Sequence, residues 1–117
     1  MIGQGFHLLG QALELAMPDS DYLIARERGF GAGPVTALLT GAPRPAPRRA
    51  LCLGAGGGAV PIALARLFPG LAVTAIEHHP SLFAALERNV ADHGLEEAIA
   101  CHFGIPDFAE DAPPPVL

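Results

Sequence analysis

The chain has 117 residues and a formal net charge of −5, and half of its residues are hydrophobic. All 7 of its basic residues are arginine; a chain without lysine has neither the phosphate loop that ends in Gly-Lys-Ser or Gly-Lys-Thr nor a Schiff-base lysine. The acidic balance argues against a free-standing nucleic-acid binder, and 2 cysteines are too few for a disulfide framework.

The location of the protein is predicted from two further features. The first residues carry no basic segment before an apolar stretch, so no secretory signal is expected. The most apolar stretch, residues 50–76, is interrupted by Pro61, Arg66 and three consecutive glycines. That pattern favours buried strands and a helix over a membrane span. We therefore expect a cytoplasmic protein without a membrane partner.

The first 48 residues are predicted to be a helical and loop lead-in. Phe6, Leu9, Leu13 and Ala16 recur at three- and four-residue steps, which predicts a helix over residues 6–17. A turn at residues 19–21, a short strand at 22–25 and a short helix at 34–39 are expected to follow. Residues 42–48 read as a stiff linker rich in proline and arginine.

From residue 49 to the end, the pattern predicts alternating strands and helices. Continuous apolar runs at 50–53 and 71–76 are typical of strands buried on both faces. Helices are expected at 59–68 and 81–93, the second ending at Gly94, and a third strand at 99–103. This order predicts an α/β fold with a Rossmann-like parallel sheet and flanking helices.

The segment from Gly54 to Gly58 is the strongest candidate for a ligand-binding loop. A strand that enters a glycine-rich turn and opens a helix directs backbone N–H groups at one point, where a ligand can lie against the backbone. Glu77 ends the next strand, and a carboxylate there can accept hydrogen bonds from a ribose diol. The glycine spacing fits both the dinucleotide fingerprint, which ends at Ala59, and the G-x-G-x-G loop of S-adenosylmethionine enzymes.

The residues around this loop resemble class I S-adenosylmethionine-dependent methyltransferases. RALCLGAGGGAVPIALA at residues 49–65 is similar to the first motif of that family, and VTAIEHHPSL at 73–82 is similar to the second. Residues 84–95, which include Asn89, continue the likeness. The resemblance covers residues 49 to about 108 and implies S-adenosyl-L-methionine as the cofactor.

The resemblance also implies roles for individual residues. The backbone of the glycine loop would pack against the methionine part of the cofactor, Glu77 would hold the ribose hydroxyls and His78 would lie against the adenine. Asp107 is a weaker candidate for the adenine amino group. The implied cofactor-binding residues are therefore Gly54, Ala55, Gly56, Gly58, Glu77, His78 and Asp107. The sequence departs from the family where Cys52 and His79 replace residues that are usually acidic.

The chain has room for about three core strands of the seven-stranded methyltransferase sheet, and it carries no Asn-Pro-Pro-Tyr-type motif. We therefore expect the N-terminal, cofactor-binding part of a methyltransferase and predict no catalytic residue. The methyl acceptor is an RNA, a protein or a small molecule. An incomplete sheet exposes a strand edge with which another chain can pair, so the sequence is also compatible with an oligomer.

Other functions, and other roles for individual residues, fit parts of the same sequence. An NAD(P)-binding module of an oxidoreductase fits the same glycines, and a non-catalytic, methyltransferase-like scaffold fits the same fold. Glu77 has a structural alternative as a cap of the following helix, and Cys52 is expected to be a core residue and not a nucleophile. The five histidines and two cysteines lack ligand spacing, so no metal site is expected.

Overall fold

The computed structural model describes residues 7–9, 12–28, 33–41 and 46–104. These residues form six strands and three helices in an alternating order over most of the chain. The elements are β1 (His7–Leu9), β2 (Leu13–Asp19), β3 (Tyr22–Glu27), α1 (Gly33–Gly41), β4 (Arg49–Leu53), α2 (Ala59–Leu67), β5 (Ala72–Glu77), α3 (Pro80–Asp92) and β6 (Ile99–Phe103).

The strands form one sheet in the order β1-β2-β3-β4-β5-β6. The pairs β1–β2 and β2–β3 are antiparallel, whereas β3–β4, β4–β5 and β5–β6 are parallel. The described chain is therefore an α/β structure with a mostly parallel sheet, as the sequence predicts. The expectation of about three core strands is wrong, because the described sheet has six strands, two of whose pairings are antiparallel.

The helices pack on one face of the sheet. Each parallel connection steps to the next strand in the same direction, and right-handed crossovers then place α1, α2 and α3 on a single side. The main core joins Ala25, Cys52 and Ala75 of the strands with buried leucines of the three helices, which are Leu38, Leu64 and Leu86. This core fixes the ends of β3, β4 and β5 relative to one another.

The elements predicted after residue 48 are confirmed, with boundaries that move by at most one residue. The predicted helix end is confirmed as well, since Gly94 has a φ of +68° directly after the helix cap. Before residue 48, the short strand at 22–25 extends to Glu27 as β3, and the short helix becomes α1.

The predicted helix over residues 6–17 is wrong, because the described residues of this segment form β1 and β2. Leu13, Leu15 and Met17 alternate along β2 and are at most 5% exposed, which is the two-residue period of a strand. β2 pairs on both sides, with β1 and with β3. The tertiary pairing overrides a spacing that also fits a helix, and the lead-in contributes strands to the same sheet as the rest of the chain.

No helix in the described part of the chain is long and apolar enough to cross a membrane.

Candidate functional site

A cavity of about 810 Å³ opens at the carboxyl ends of the parallel strands β3, β4 and β5. Its volume lies in the range of small-molecule sites, and its place in the sheet is where α/β proteins bind ligands. Five of the predicted cofactor residues line it together, namely Gly54, Ala55, Gly56, Glu77 and His78. Asp107 lies outside the described residues.

The glycine loop presents backbone to this cavity. Gly54 and Gly56 have φ angles of +68° and +58°, which L side chains rarely adopt. A Cβ atom added at either glycine would meet nothing within 4 Å, so the space over both residues is open. The N–H of Ala55 donates to the carbonyl oxygen of Ile76 at 3.0 Å and ties the loop to β5.

Gly58 has a different function from the other two glycines. It is buried and does not line the cavity. An added Cβ would lie 3.0 Å from Cδ1 of Leu86 and 3.4 Å from Cδ1 of Ile62. Gly58 therefore lets the start of α2 approach α3, which is a packing function and not a ligand contact.

Glu77 is only 4% exposed, and backbone N–H groups surround its carboxylate. Oε1 accepts a hydrogen bond from the N–H of Gly56 at 2.8 Å. Oε2 accepts from the N–H groups of His78 and His79 at 3.1 and 2.9 Å, directly before α3. The helix-capping interaction is therefore present in the structure, and the role in holding a ribose stays a prediction.

Asn89 of α3 is a site residue whose contact sequence analysis did not identify. Its Nδ2 donates to the carbonyl oxygen of Gly57 at 2.8 Å, and Asn89 also lines the cavity. The only signal in the sequence is that Asn89 belongs to the third segment of the family likeness. Its contact attaches the glycine loop to α3.

Glu27 was also missed, because the predicted strand stopped at residue 25. Arg26 pairs with Leu53, and Leu53 pairs with Ile76. One residue further along each strand, Glu27 and Glu77 therefore lie on either side of Gly54. Oε2 of Glu27 is buried and has no hydrogen-bond partner. Burial and the neighbouring charge of Glu77 raise the pKa of Glu27 to about 8.

Cys52 lies in the core, as expected, with no exposed surface. Burial, and secondarily the charge of Glu27, raises the pKa of its thiol well above the usual value. A thiol in this state is a poor nucleophile. His79 lines the cavity, and its Nδ1 lies 3.0 Å from Oγ of Ser81.

The remaining polar groups of the cavity are Arg28, His78 and His93. The side chain of Arg28 is 54% exposed, and its Nη1 lies 3.9 Å from Oε1 of Glu14. His78 is 62% exposed, with Nδ1 3.8 Å from Oε2 of Glu77. His93 lies 2.9 Å from Arg66 through its Nδ1. Within the ranges the structure describes, no group of three His, Cys, Asp or Glu side chains is placed to hold a metal ion.

No protein-family model matches the chain, and a search of curated proteins finds no match either.

Proposed function

We propose that this chain binds S-adenosyl-L-methionine and is the cofactor-binding portion of a class I methyltransferase. The observation that carries the proposal is the convergence of the glycine loop, Glu77 and His78 on one cavity at the carboxyl ends of adjacent parallel strands. The identity of the methyl acceptor, whether RNA, protein or small molecule, belongs to the same proposal and has no residue assigned to it.

The residues of the cavity fit the cofactor. The open space over Gly54 and Gly56 accepts a ligand that lies directly on the backbone. A carboxylate offers about four lone-pair positions, and Glu77 uses three of them for backbone N–H groups. One position therefore remains for a ribose hydroxyl, while the exposed ring of His78 is free to pack against an adenine.

In this arrangement the bound cofactor supplies an electrophilic methyl group, and the residues of the chain hold the cofactor in a fixed orientation. Glu77 and His78 orient the adenosine, and the loop backbone orients the methionine part. Holding the reacting group in one direction accounts for a large part of the rate in such transfers. The hydrogen bonds of the loop to Glu77 and Asn89 hold that direction.

The same glycines also fit a dinucleotide, but the site is poorly suited to a pyrophosphate. A pyrophosphate needs free N–H groups at the start of the helix. The N–H of Gly56 already donates to Glu77, that of Gly58 donates to Ala55, and Pro61 in the first turn of α2 has no N–H. These contacts support a ligand without phosphate.

Calorimetric titration with S-adenosylhomocysteine and with NAD tests the proposal. We expect S-adenosylhomocysteine to bind and NAD not to bind. His78→Ala should weaken the binding several-fold because it removes the surface for the adenine. His102→Ala is the matched control, since His102 is an exposed histidine of β6 outside the cavity. Binding of NAD without binding of S-adenosylhomocysteine would refute the proposal.

A further inference from the structure

Glu27 is a carboxyl group of the cavity that the proposed adenosine contacts leave unused. It ends β3, the strand next to the glycine-loop strand. Its Oε2 is buried without a hydrogen-bond partner. A buried polar atom without a partner costs free energy, and a ligand donor that reaches Glu27 from the cavity would recover it. The unpaired oxygen therefore indicates a ligand group with a donor.

The position of Glu27 indicates which part of the ligand it meets. Extension of the strand register places Glu27 on one side of Gly54 and Glu77 on the other. Neighbouring strands are about 4.8 Å apart, so the two carboxyl groups flank a gap of roughly 10 Å that Gly54 leaves empty. A ligand that extends from Glu77 across Gly54 brings its far end to Glu27.

The charges at this end of the cavity match a zwitterion. Glu27 provides an acceptor, and the adjacent Arg28 provides a largely exposed guanidinium that also lines the cavity. Among the described residues, Arg28 has one ion-pair contact, a long one of 3.9 Å to Glu14. The guanidinium can therefore reorient to bind an anion in the cavity. A pair of this kind is complementary to the ammonium and carboxylate of a free amino acid.

We propose that Glu27 binds the α-ammonium group of the amino-acid end of the ligand, and that Arg28 binds its α-carboxylate. The inference rests on the proposed function, since it assigns the second end of the same ligand. It makes β3, a strand outside the region of family likeness, the specificity element for the amino-acid part.

The ionisation of Glu27 adds a second readout. Burial and the charge of Glu77 raise the pKa of Glu27 to about 8, so most molecules carry the proton at pH 7. The groups around it are Glu77 on β5, Cys52 on β4 and Arg28 on its own strand end; the other titratable cavity residues are His78, His79 and His93. A bound ammonium stabilises the carboxylate, so the Glu27 proton leaves for the buffer.

The experiment compares two ligands by calorimetry at pH 7, in two buffers that differ in ionisation enthalpy. S-adenosylhomocysteine carries the amino-acid end, whereas 5′-methylthioadenosine shares the adenosine and the sulfur but lacks that end. We expect Glu27→Gln to weaken the binding of S-adenosylhomocysteine about tenfold, the contribution of one charge-assisted contact. Binding of methylthioadenosine should stay within about twofold, and Arg28→Gln should show the same selectivity.

Proton release should accompany S-adenosylhomocysteine in the wild type and disappear in Glu27→Gln. Glu87→Gln is the matched control, because it makes the same change at an exposed position of α3 outside the cavity. If both ligands bind and Glu27→Gln weakens them equally or not at all, this inference is overturned and the proposed function stands. If neither ligand binds, both fail.

Discussion

The backbone N–H of Gly56 donates a hydrogen bond of 2.8 Å to Oε1 of Glu77. The residue that ends β5 thereby holds the middle of the glycine loop that follows β4. Because Oε2 of the same carboxylate accepts from the two N–H groups before α3, Glu77 joins the loop, a strand and a helix at one point. Any ligand contact of Glu77 is added to this structural function.

Glu77→Ala should therefore reduce both stability and ligand binding. The substitution leaves three backbone N–H groups without an acceptor in a region where the side chain is 4% exposed. We expect the free energy of unfolding to fall by roughly 2–4 kcal/mol, since hydrogen bonds to charged groups contribute about 1.5–3 kcal/mol each but some N–H groups regain water. Urea denaturation measures the change; a stability equal to that of Glu87→Ala would contradict it.

Substitutions at Gly58, which packs against α3, and at Gly54, which faces the open cavity, should affect stability and ligand binding differently. Gly58→Ala introduces a Cβ 3.0 Å from Leu86, which is fully buried and has little room to move. Overpacking of about 1–3 kcal/mol then adds to the penalty of a positive φ. Gly54→Ala incurs mainly the φ penalty of about 1–2 kcal/mol, because its Cβ meets nothing within 4 Å.

We therefore expect Gly58→Ala to be the less stable variant in denaturant. Gly54→Ala should lose more affinity for S-adenosylhomocysteine, because its new methyl group lies where the ligand would lie. An equal loss of stability in both variants would contradict the packing function of Gly58.

The strands and helices after residue 48 were predictable because each buried run is bounded by glycine or proline, so the period changes sharply at its ends. The segment before β3 was not predictable in this way. The spacing of Phe6, Leu9, Leu13 and Ala16 fits a helix, whereas the burial of β2 follows the alternation of Leu13, Leu15 and Met17. Only pairing with strands on both sides decides between them.

The residues of the candidate site were likewise predictable only in part. Gly54, Gly56 and Glu77 were predictable because they end strands that follow one another in the sequence. Glu27 was not, because no local pattern indicates that β3 lies beside β4. The bond between Asn89 and Gly57 likewise depends on how α3 packs against the loop, which a helical period does not specify.

The raised pKa of Glu27 predicts how stability depends on pH. The carboxyl group titrates near 4.5 in the unfolded chain and near 8 in the folded one. Between these values the folded state binds the extra proton, so the stability due to this group is complete below pH 4.5 and declines until pH 8. Wild type should lose stability relative to Glu27→Gln by up to about 1.4 kcal/mol per pH unit in that window.

Urea unfolding at pH 4, 6, 8 and 9 measures this difference. Groups that do not interact with Glu27 titrate equally in both proteins and cancel, so the difference reports Glu27 and the groups coupled to it. A constant difference across the whole series would contradict a protonated Glu27 at neutral pH.

Asn89 should act on the glycine loop through its hydrogen-bond donor. Asn89→Ala removes the 2.8 Å bond to the carbonyl oxygen of Gly57, and we expect a loss of about 0.5–1.5 kcal/mol because the site is exposed. Asn89→Asp places a carboxylate against that carbonyl and should weaken the binding of S-adenosylhomocysteine more than Asn89→Ala does. Arg88→Ala, at the adjacent exposed position, is the control. Binding equal to that of the wild type in both the Ala and the Asp variant would exclude a role of the donor.

Cys52 and Glu27 should be energetically coupled, since the charge of Glu27 contributes to the raised pKa of the Cys52 thiol. Cys52→Asp restores the acidic residue that is usual in the resembling family, but here it buries a second carboxyl group beside Glu27. We expect a loss of several kcal/mol, because the position has no exposed surface. The loss should be smaller in the Glu27→Gln background, with a coupling energy of about 0.5–3 kcal/mol.

A double-mutant cycle in urea measures this coupling at pH 9, where Glu27 is ionised. Cys101→Asp is the matched control, since Cys101 is half-buried on β6. Burial, and secondarily the charge of Glu87 but not that of Glu27, raises the pKa of its thiol. Its effect should add to that of Glu27→Gln without coupling. If Cys52→Asp is also additive with Glu27→Gln, the two side chains do not share one environment.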